Sequence, residues 1–312
     1  MKTALKIIMK CVIFAFLPLY LLYFFIFRFP KKMQHDVHKI PIRNHLYKLY
    51  RNKMLKCIDE MENTPFESVN IRSEEGFRLH GRMYTFKENA PIVIFFHGYH
   101  SSPEWDGFGF FKTCKNNNIN ILMVDQRVHG KSEGKTITFG IKERNDCRLW
   151  IDYVIKHYGK QKSIILAGVS IGASTVLMSA LNGLPENVKA IISDCAFTEP
   201  SAIIKATIKK FHLPVKPFYF LIKSGAKIFG HFNLEEASAV NAVKQMKIPV
   251  LFIHGKADSV VPLSTNDEIY ENCKSKKQRI LIEKADHANS ALTDYETYEK
   301  SIMDFLKMVI LE

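Results

Sequence analysis

The stretch SIILAGVSIGASTVLMSALNG, residues 163–183, decides how this chain folds. It begins with an apolar run, Ile164 to Ala167, that is typical of a buried strand. It then passes through Gly168-Val169-Ser170-Ile171-Gly172 and continues in small residues that favour a helix ending near Gly183. The pattern G-x-S-x-G between a strand and a helix predicts a sharp, strained turn that directs the serine hydroxyl towards the helix N-terminus.

The charge of the chain is concentrated at its N-terminal end. The 312 residues are 47% hydrophobic and 24% charged, as in a globular protein, and carry a net charge of +13. Residues 1–56 contain twelve Lys and Arg and one acid, Asp36, so +11 of this charge lies there. A nucleic-acid-binding protein would carry its basic residues on the folded domain, so we expect no nucleic-acid partner.

The same end contains an apolar segment. Cys11 to Phe27 is seventeen residues without a charged side chain, and one more turn would give the length that crosses a bilayer. No small-residue cleavage site follows, which favours an uncleaved signal-anchor over a signal peptide. We therefore expect residues 1–30 to form a single-pass transmembrane helix in the cell membrane and residues 31–65 a basic juxtamembrane segment. Positive charge on both flanks leaves the side of the membrane open.

From about residue 66 the pattern alternates between strands and helices. Residues 68–72 and 77–86 predict an antiparallel hairpin, and continuous apolar runs further on predict buried parallel strands. Helices are expected at about 105–116, 142–158, 264–273 and 290–311. Residues 196–245 break the alternation and predict a helical cap inserted between two strands. The fold class is α/β, with a mostly parallel sheet covered by helices on both faces.

Nucleophilic catalysis by a serine requires a base, a carboxylate that orients the base, and donors for an oxyanion. Ser170 is the candidate nucleophile, and His287, just past the last predicted strand, is the candidate base. Asp258, after the penultimate strand, is the candidate acid, with Asp194 and Asp286 as alternatives.

The expected oxyanion donors are two backbone N–H groups. One belongs to Ile171, directly after the serine, and the other to Tyr99, which follows His97-Gly98 at the end of an earlier strand. The six cysteines are scattered and have no metal-ligand spacing, so we expect neither a metal nor an organic cofactor.

Five motifs occur in a characteristic order: Phe96-His97-Gly98-Tyr99, Asp125-Gln126-Arg127-Val128-His129-Gly130-Lys131-Ser132, Gly168-Val169-Ser170-Ile171-Gly172, Phe252-Ile253-His254-Gly255-Lys256-Ala257-Asp258 and Asp286-His287. Together they resemble the α/β-hydrolase superfamily, and within it bacterial membrane-anchored serine hydrolases of the esterase, lipase or acyl-hydrolase type. The resemblance covers most of residues 66–312 and implies an α/β-hydrolase domain there. One departure is Val128, where many members have glycine, and it leaves the shape of that loop open.

The resemblance implies that Ser170, Asp258 and His287 form a catalytic triad. It further implies a serine hydrolase that cleaves carboxylic esters, either of small molecules or of lipids, through an acyl-enzyme. Two alternatives remain: a serine peptidase of the same superfamily, and a catalytically silent, membrane-tethered binding module.

Overall fold

The computed structural model describes residues 16–31, 34, 36–40 and 45–310. Eight strands form one sheet: β1 Glu67–Arg72, β2 Arg78–Tyr84, β3 Ile92–Phe96, β4 Asn120–Val124, β5 Ile164–Val169, β6 Val188–Asp194, β7 Val250–Gly255 and β8 Lys277–Ile282. Their order across the sheet is β1-β2-β4-β3-β5-β6-β7-β8. β1 and β2 form the predicted antiparallel hairpin, β2 is also antiparallel to β4, and every other pair is parallel. The prediction of a mostly parallel sheet is confirmed.

Helices connect the strands and cover both faces of the sheet. The described helices are α1 (residues 16–27), α2 His45–Asn63, α3 Pro103–Asp106, α4 Phe108–Asn116, α5 Glu143–Tyr158, α6 Ile171–Met178, α7 Pro200–Lys210, α8 Val215–Gly230, α9 Ala239–Gln245, α10 Leu263–Asn272, α11 Ser290–Thr293 and α12 Tyr295–Ile310. The single helix expected at 105–116 is divided into α3 and α4 at Gly107, where a Cβ would lie 2.3 Å from Pro103 O. The single helix expected at about 290–311 is divided into α11 and α12 at Asp294.

Alternation along the strands builds two hydrophobic layers. In β3, Ile92, Ile94 and Phe96 pack on the face covered by α5, α6 and α9. Val93 and Phe95 pack on the opposite face, which α2, α4 and α12 cover. Because both faces of the sheet are buried around β3, β4, β5 and β7, these strands are mainly apolar, as the sequence indicated.

The strand order creates a crevice where the candidate site lies. β3 has β4 on one side and β5 on the other. The connection after β3 therefore runs to one side of β3, and the connection after β4 crosses to its other side. Phe96 at the end of β3 pairs with Gly168 near the end of β5. A crevice at the carboxyl ends of strands, at such a switch point, is the usual ligand position in an open α/β sheet.

The segment between β6 and β7, which includes the predicted cap at 196–245, contains the three helices α7, α8 and α9. α7 and α8, called the inserted helices below, lie over the carboxyl ends of the strands and line the cavity there. α9, which falls within the predicted 196–245 cap, packs against α6 and α10 and covers the sheet. The hydrophobic residues of α9 are core residues, because Ala242 and Val243 are fully buried.

The segment predicted to be juxtamembrane contributes to the core. Met54, Ile58 and Met61 of α2 are buried with Phe111 of α4 on one face of the sheet. Part of residues 31–65, which the sequence predicts to be a juxtamembrane segment, therefore packs on the core of the domain.

The predicted transmembrane helix is only partly described, because residues 1–15 lie outside the described ranges. Its described part, α1, buries Tyr23 and Phe27 against the folded domain, so this end of the predicted span packs on protein. Among the residues that the structure describes, no helix combines the length and the hydropathy needed to cross a bilayer.

Candidate active site

Ser170 lies at the turn between β5 and α6. Its backbone has φ 56° and ψ −118°, a positive φ that residues with a side chain rarely adopt. The flanking glycines permit this turn, because a Cβ at Gly172 would lie 2.0 Å from Phe96 O and one at Gly168 would lie 2.3 Å from Gly172 C. The Ser170 N–H donates to Asp194 O at 2.9 Å and ties the turn to β6. The strained turn that the sequence predicts is therefore present.

His287 connects the candidate serine and the candidate acid. Its Nε2 lies 2.8 Å from Ser170 Oγ, and its Nδ1 lies 2.8 Å from Asp258 Oδ2. Asp258 follows β7 and His287 follows β8, so loops after neighbouring strands converge on the turn after β5. The structure thus brings together three side chains that are far apart in the sequence.

The environment of Asp258 keeps its carboxyl group charged. Burial by itself would raise the pKa, but the hydrogen bond to His287 and the N–H groups of Val260 and Val261 bring the pKa below its usual value. Those N–H groups donate to Oδ1 at 2.9 and 2.7 Å, so Oδ2 is left for His287 Nδ1. An acceptor at Nδ1 favours the tautomer with the proton on Nδ1, which leaves Nε2 free to accept a proton from Ser170.

The two alternative acids point elsewhere. Asp194 is 2% exposed and accepts a hydrogen bond from Ser290 Oγ at 3.1 Å, and burial raises its pKa to about 7. Asp286 Oδ1 accepts the backbone N–H groups of Ser259 and of His287, both at 2.7 Å. Within the described residues, neither carboxylate hydrogen-bonds to the His287 ring, so the geometry favours Asp258.

Backbone N–H groups of Tyr99 and Ile171 lie beside Ser170. A Cβ at Gly98 would be 3.4 Å from Ser170 Cβ, so the chain before Tyr99 passes close to the serine. His97 Nδ1 donates to Gly98 O at 2.8 Å, which fixes the peptide group that carries the Tyr99 N–H. Ile171 begins α6, where the first N–H groups have no partner within the helix. In the described chain neither N–H has an acceptor, so both are available to an oxyanion.

A cavity of about 300 Å³ opens beside Ser170 and His287. Its lining is mainly apolar and comes from both inserted helices and from the loops after the strands. The main apolar residues are Phe139, Phe197, Ile203, Ile204, Ile208, Ile222, Val260 and Val261. This volume is at the small end of the range for ligand pockets in proteins.

Three further residues of the cavity were missed by reasoning from the sequence. Asp106 of α3 is buried, its Oδ2 accepts the Gly98 N–H at 2.6 Å, and burial raises its pKa. Tyr47 of α2 and Ile26 of α1 also line the cavity. No local pattern marks Asp106, and Tyr47 and Ile26 belong to segments whose composition predicts a membrane anchor and its flank.

Val128, the departure from the family pattern, keeps an unusual backbone conformation. Its φ is 75°, which is rare for a β-branched residue. Its N–H donates to Glu133 O at 3.0 Å and its C=O accepts the Gln34 side-chain amide at 2.6 Å. These contacts hold the loop in a left-handed conformation although the residue is not glycine.

One group of side chains near the site has the composition of metal ligands. Ligand atoms of Cys195, Asp258 and His287 lie within 4.8 Å of one another. However, both ring nitrogens of His287 already contact Ser170 and Asp258, and burial raises the pKa of the Cys195 thiol well above its usual value. A thiol must lose its proton to bind a metal ion, so this group fits a metal poorly.

Comparisons with known proteins agree with this architecture. Residues 91–220 match the family model described as alpha/beta hydrolase fold. The chain is 26% identical to the uncharacterized protein YqkD of Bacillus subtilis over 277 residues, covering 88% of each chain. It is 27% identical to the uncharacterized protein YfhR of Escherichia coli over 251 residues, covering 77% of this chain and 80% of YfhR. Among solved structures, an esterase of Pyrococcus furiosus superimposes with a TM-score of 0.66 at 23% identity, covering 80% of this chain and 94% of the esterase.

Proposed function

Because residues 91–220 match the family model of the alpha/beta hydrolase fold, we propose that this chain is a serine hydrolase that cleaves carboxylic esters through Ser170, His287 and Asp258. The observation that carries the proposal is the position of the His287 ring. Its Nε2 lies 2.8 Å from the Ser170 hydroxyl, and its Nδ1 lies 2.8 Å from the Asp258 carboxylate. The chain order serine, acid, histidine also agrees with the order known for this fold.

The proposed reaction begins when His287 Nε2 takes the proton of Ser170 as the serine oxygen attacks the ester carbonyl. The negative charge that develops on the carbonyl oxygen is stabilised by the N–H groups of Tyr99 and Ile171. The protonated histidine, stabilised by Asp258, then gives its proton to the leaving alcohol, and an acyl-serine remains. Water attacks this acyl-enzyme with the same histidine as base, which releases the acid and restores the serine.

The cavity favours an ester with an apolar acyl or aryl part. Its walls are mainly isoleucine, valine and phenylalanine, which contribute to binding by removing apolar surface from water. Small-molecule esters and lipid esters share this chemistry, so both are substrates of the proposed class.

The test is covalent labelling of the purified full-length chain by a fluorophosphonate, which reacts with activated serines. The full chain is needed because α1 and α2 supply buried residues such as Phe27 and Ile58. We expect strong labelling of the wild type and none of Ser170→Ala, with His287→Ala reduced by at least about 10³-fold in rate. Ser259→Ala is the matched control, because this exposed serine hydrogen-bonds to Asp286 outside the proposed triad.

Either of two results would contradict the proposal. The first is an unlabelled wild-type chain that is folded by circular dichroism, which would favour a silent binding module. The second is labelling that survives Ser170→Ala. p-Nitrophenyl esters compared with peptide p-nitroanilides then separate the esterase from the peptidase, and faster cleavage of the anilides would favour the peptidase.

We also propose that the N-terminal segment attaches the chain to the cell membrane. The support is a stripe of exposed apolar side chains on α1, Leu17, Leu21 and Phe25, of which Phe25 is 66% exposed, together with the lysines that precede the apolar segment. Fractionation of producing cells tests this. The full chain should stay in the membrane pellet after high-salt and carbonate washes, and a chain that starts at residue 16 and carries Leu17→Gln, Leu21→Gln and Phe25→Gln should be released. Release of the full chain by salt alone would contradict an apolar attachment.

A further inference from the structure

The helix whose sequence predicts a membrane anchor forms part of the wall of the candidate active site. Ile26, near the C-terminal end of α1, lines the cavity together with Phe139 and with Ile222 of α8. In the same turn of α1, Phe27 is completely buried, between Phe139 and Phe232. The last turn of α1 is therefore placed inside the domain, next to the catalytic residues proposed above.

Three hydrogen bonds hold this turn of α1 against the segments that follow β3 and β4. Tyr99, after β3, donates its Oη hydrogen to Ile26 O at 2.9 Å, and its N–H is one of the two proposed oxyanion donors. In the segment after β4, the Ile137 N–H donates to Phe27 O at 2.8 Å, and the hydroxyls of Tyr23 and Thr136 are 2.6 Å apart. Backbone carbonyls accept two of these bonds, so a substitution of the Ile26 side chain leaves them in place.

The face of α8 that receives α1 is shaped for close contact. A Cβ at Gly225 would lie 3.0 Å from Leu19 O and 3.3 Å from Tyr23 Cβ, so glycine allows the two helices to approach. Phe229 of α8 packs against Tyr23 with ring centroids 5.6 Å apart. Because α1 is held by packing as well as by hydrogen bonds, Ile26 occupies a defined position in the cavity wall.

We propose that Ile26 is a specificity-determining residue that limits the length of the acyl group bound in the cavity. This inference rests on the proposed esterase function and assigns part of its substrate site to α1. It follows from the small volume of the cavity, about 300 Å³, and from the fixed position of the isoleucine side chain in its apolar lining. Shortening the side chain then adds space for substrate, and enlarging it removes space.

The size of the effect follows from the burial of methylene groups. Each methylene that moves from water to an apolar wall contributes about fourfold to kcat/KM. Ile26→Ala removes three carbons, which makes room for two or three methylenes and raises the ratio of kcat/KM for a long ester to that for an acetate by roughly 15- to 60-fold. Ile26→Trp should lower the same ratio by at least about tenfold.

The experiment measures kcat/KM for p-nitrophenyl esters from acetate to dodecanoate with the full-length chain. Wild type, Ile26→Ala and Ile26→Trp are compared with Leu22→Ala. Leu22 is a partly buried residue of α1 that packs on the core but does not line the cavity, so this control reports on loosening of the helix. We expect Ile26→Ala to shift the preferred chain length towards longer esters relative to acetate, and Leu22→Ala to keep the wild-type profile. A shift of the same size in Leu22→Ala, or an equal change for every ester in Ile26→Ala, overturns the proposal.

A second measurement separates this inference from the proposed function. Isothermal titration of linear carboxylates, from butyrate to dodecanoate, into Ser170→Ala chains with and without Ile26→Ala measures chain-length preference without catalysis. If the wild type hydrolyses no ester but the chain with both Ser170→Ala and Ile26→Ala binds longer carboxylates than the chain with Ser170→Ala alone, the esterase proposal fails and the role of Ile26 stands. Identical binding profiles in the two chains overturn the role of Ile26.

Discussion

Replacing Asp258 by asparagine tests which ring nitrogen of His287, the proposed base, carries the proton. Asp258 Oδ1 accepts two backbone N–H groups, from Val260 and Val261, and only an oxygen can take that place. The amide NH₂ of asparagine is therefore forced to the position of Oδ2, 2.8 Å from His287 Nδ1. It donates to Nδ1, so the ring proton moves to Nε2, which then faces Ser170 with a proton instead of a lone pair.

This change is nearly isosteric, so its cost should appear in the chemistry and not in folding. We expect kcat/KM for a short p-nitrophenyl ester at neutral pH to fall by about 10⁴-fold, as for loss of the correct tautomer in a serine–histidine–aspartate triad. Substrate binding should change little, because the Asp258 side chain is fully buried and does not line the cavity.

Matched controls are available in the two neighbouring acids. Asp194→Asn and Asp286→Asn change carboxylates that hydrogen-bond to Ser290 and Ser259 instead of to the His287 ring, and each should lower kcat/KM by less than about tenfold. Thermal unfolding of every variant, compared with the wild type, shows whether a loss of activity results from a loss of folded structure. The reasoning is refuted if a folded Asp258→Asn chain keeps activity within tenfold of wild type, or if Asp194→Asn causes the larger loss.

Three further outcomes follow from the buried charges and from the fit of the site to metals. Asp146→Ala would leave the Arg127 guanidinium, which is 4% exposed, with Glu75 as its one remaining ion-pair partner among the described residues, and should lower the free energy of unfolding by about 3–5 kcal/mol in urea titrations. Burial raises the pKa of Asp194 to about 7, above its unfolded value, so its protonated form stabilises the fold at low pH and this contribution is lost as the pH rises to 7. Asp194→Asn should therefore show a smaller loss of stability between pH 5 and pH 8 than the wild type, and parallel curves would refute this. Dialysis against a chelator should leave esterase activity unchanged, since both nitrogens of His287 already have partners, and activity restored by an added metal would contradict this.

Local sequence was sufficient for the elements whose stability is local or periodic. Continuous apolar runs correctly predicted the buried parallel strands, and the glycines around Ser170 correctly predicted the strained turn, because only glycine fits the space beside Phe96. The limits of the inserted helices were less predictable, since α9 carries the same residue types as its neighbours and differs only in what it packs against.

The choice among three acids depended on side-chain direction. Asp194 ends strand β6, and Asp258 and Asp286 follow β7 and β8, so from the sequence any of the three could meet His287. Which carboxylate contacts the His287 ring depends on hydrogen-bond donors from distant elements. One of these donors is Ser290 of α11, which donates to Asp194. No periodicity in the sequence encodes such pairings.

The sequence by itself determined the α/β architecture, the place of the strained turn at Ser170 and the order of the candidate catalytic residues. Only the tertiary structure decided the position of α1 and its contribution to the cavity. The hydropathy of residues 16–27 indicates that their side chains avoid water, but it does not indicate whether lipid or protein replaces the water. Here the glycine-lined face of α8 and the hydrogen-bonding groups of Tyr99 and Ile137 supply a protein surface for the last turn of the helix.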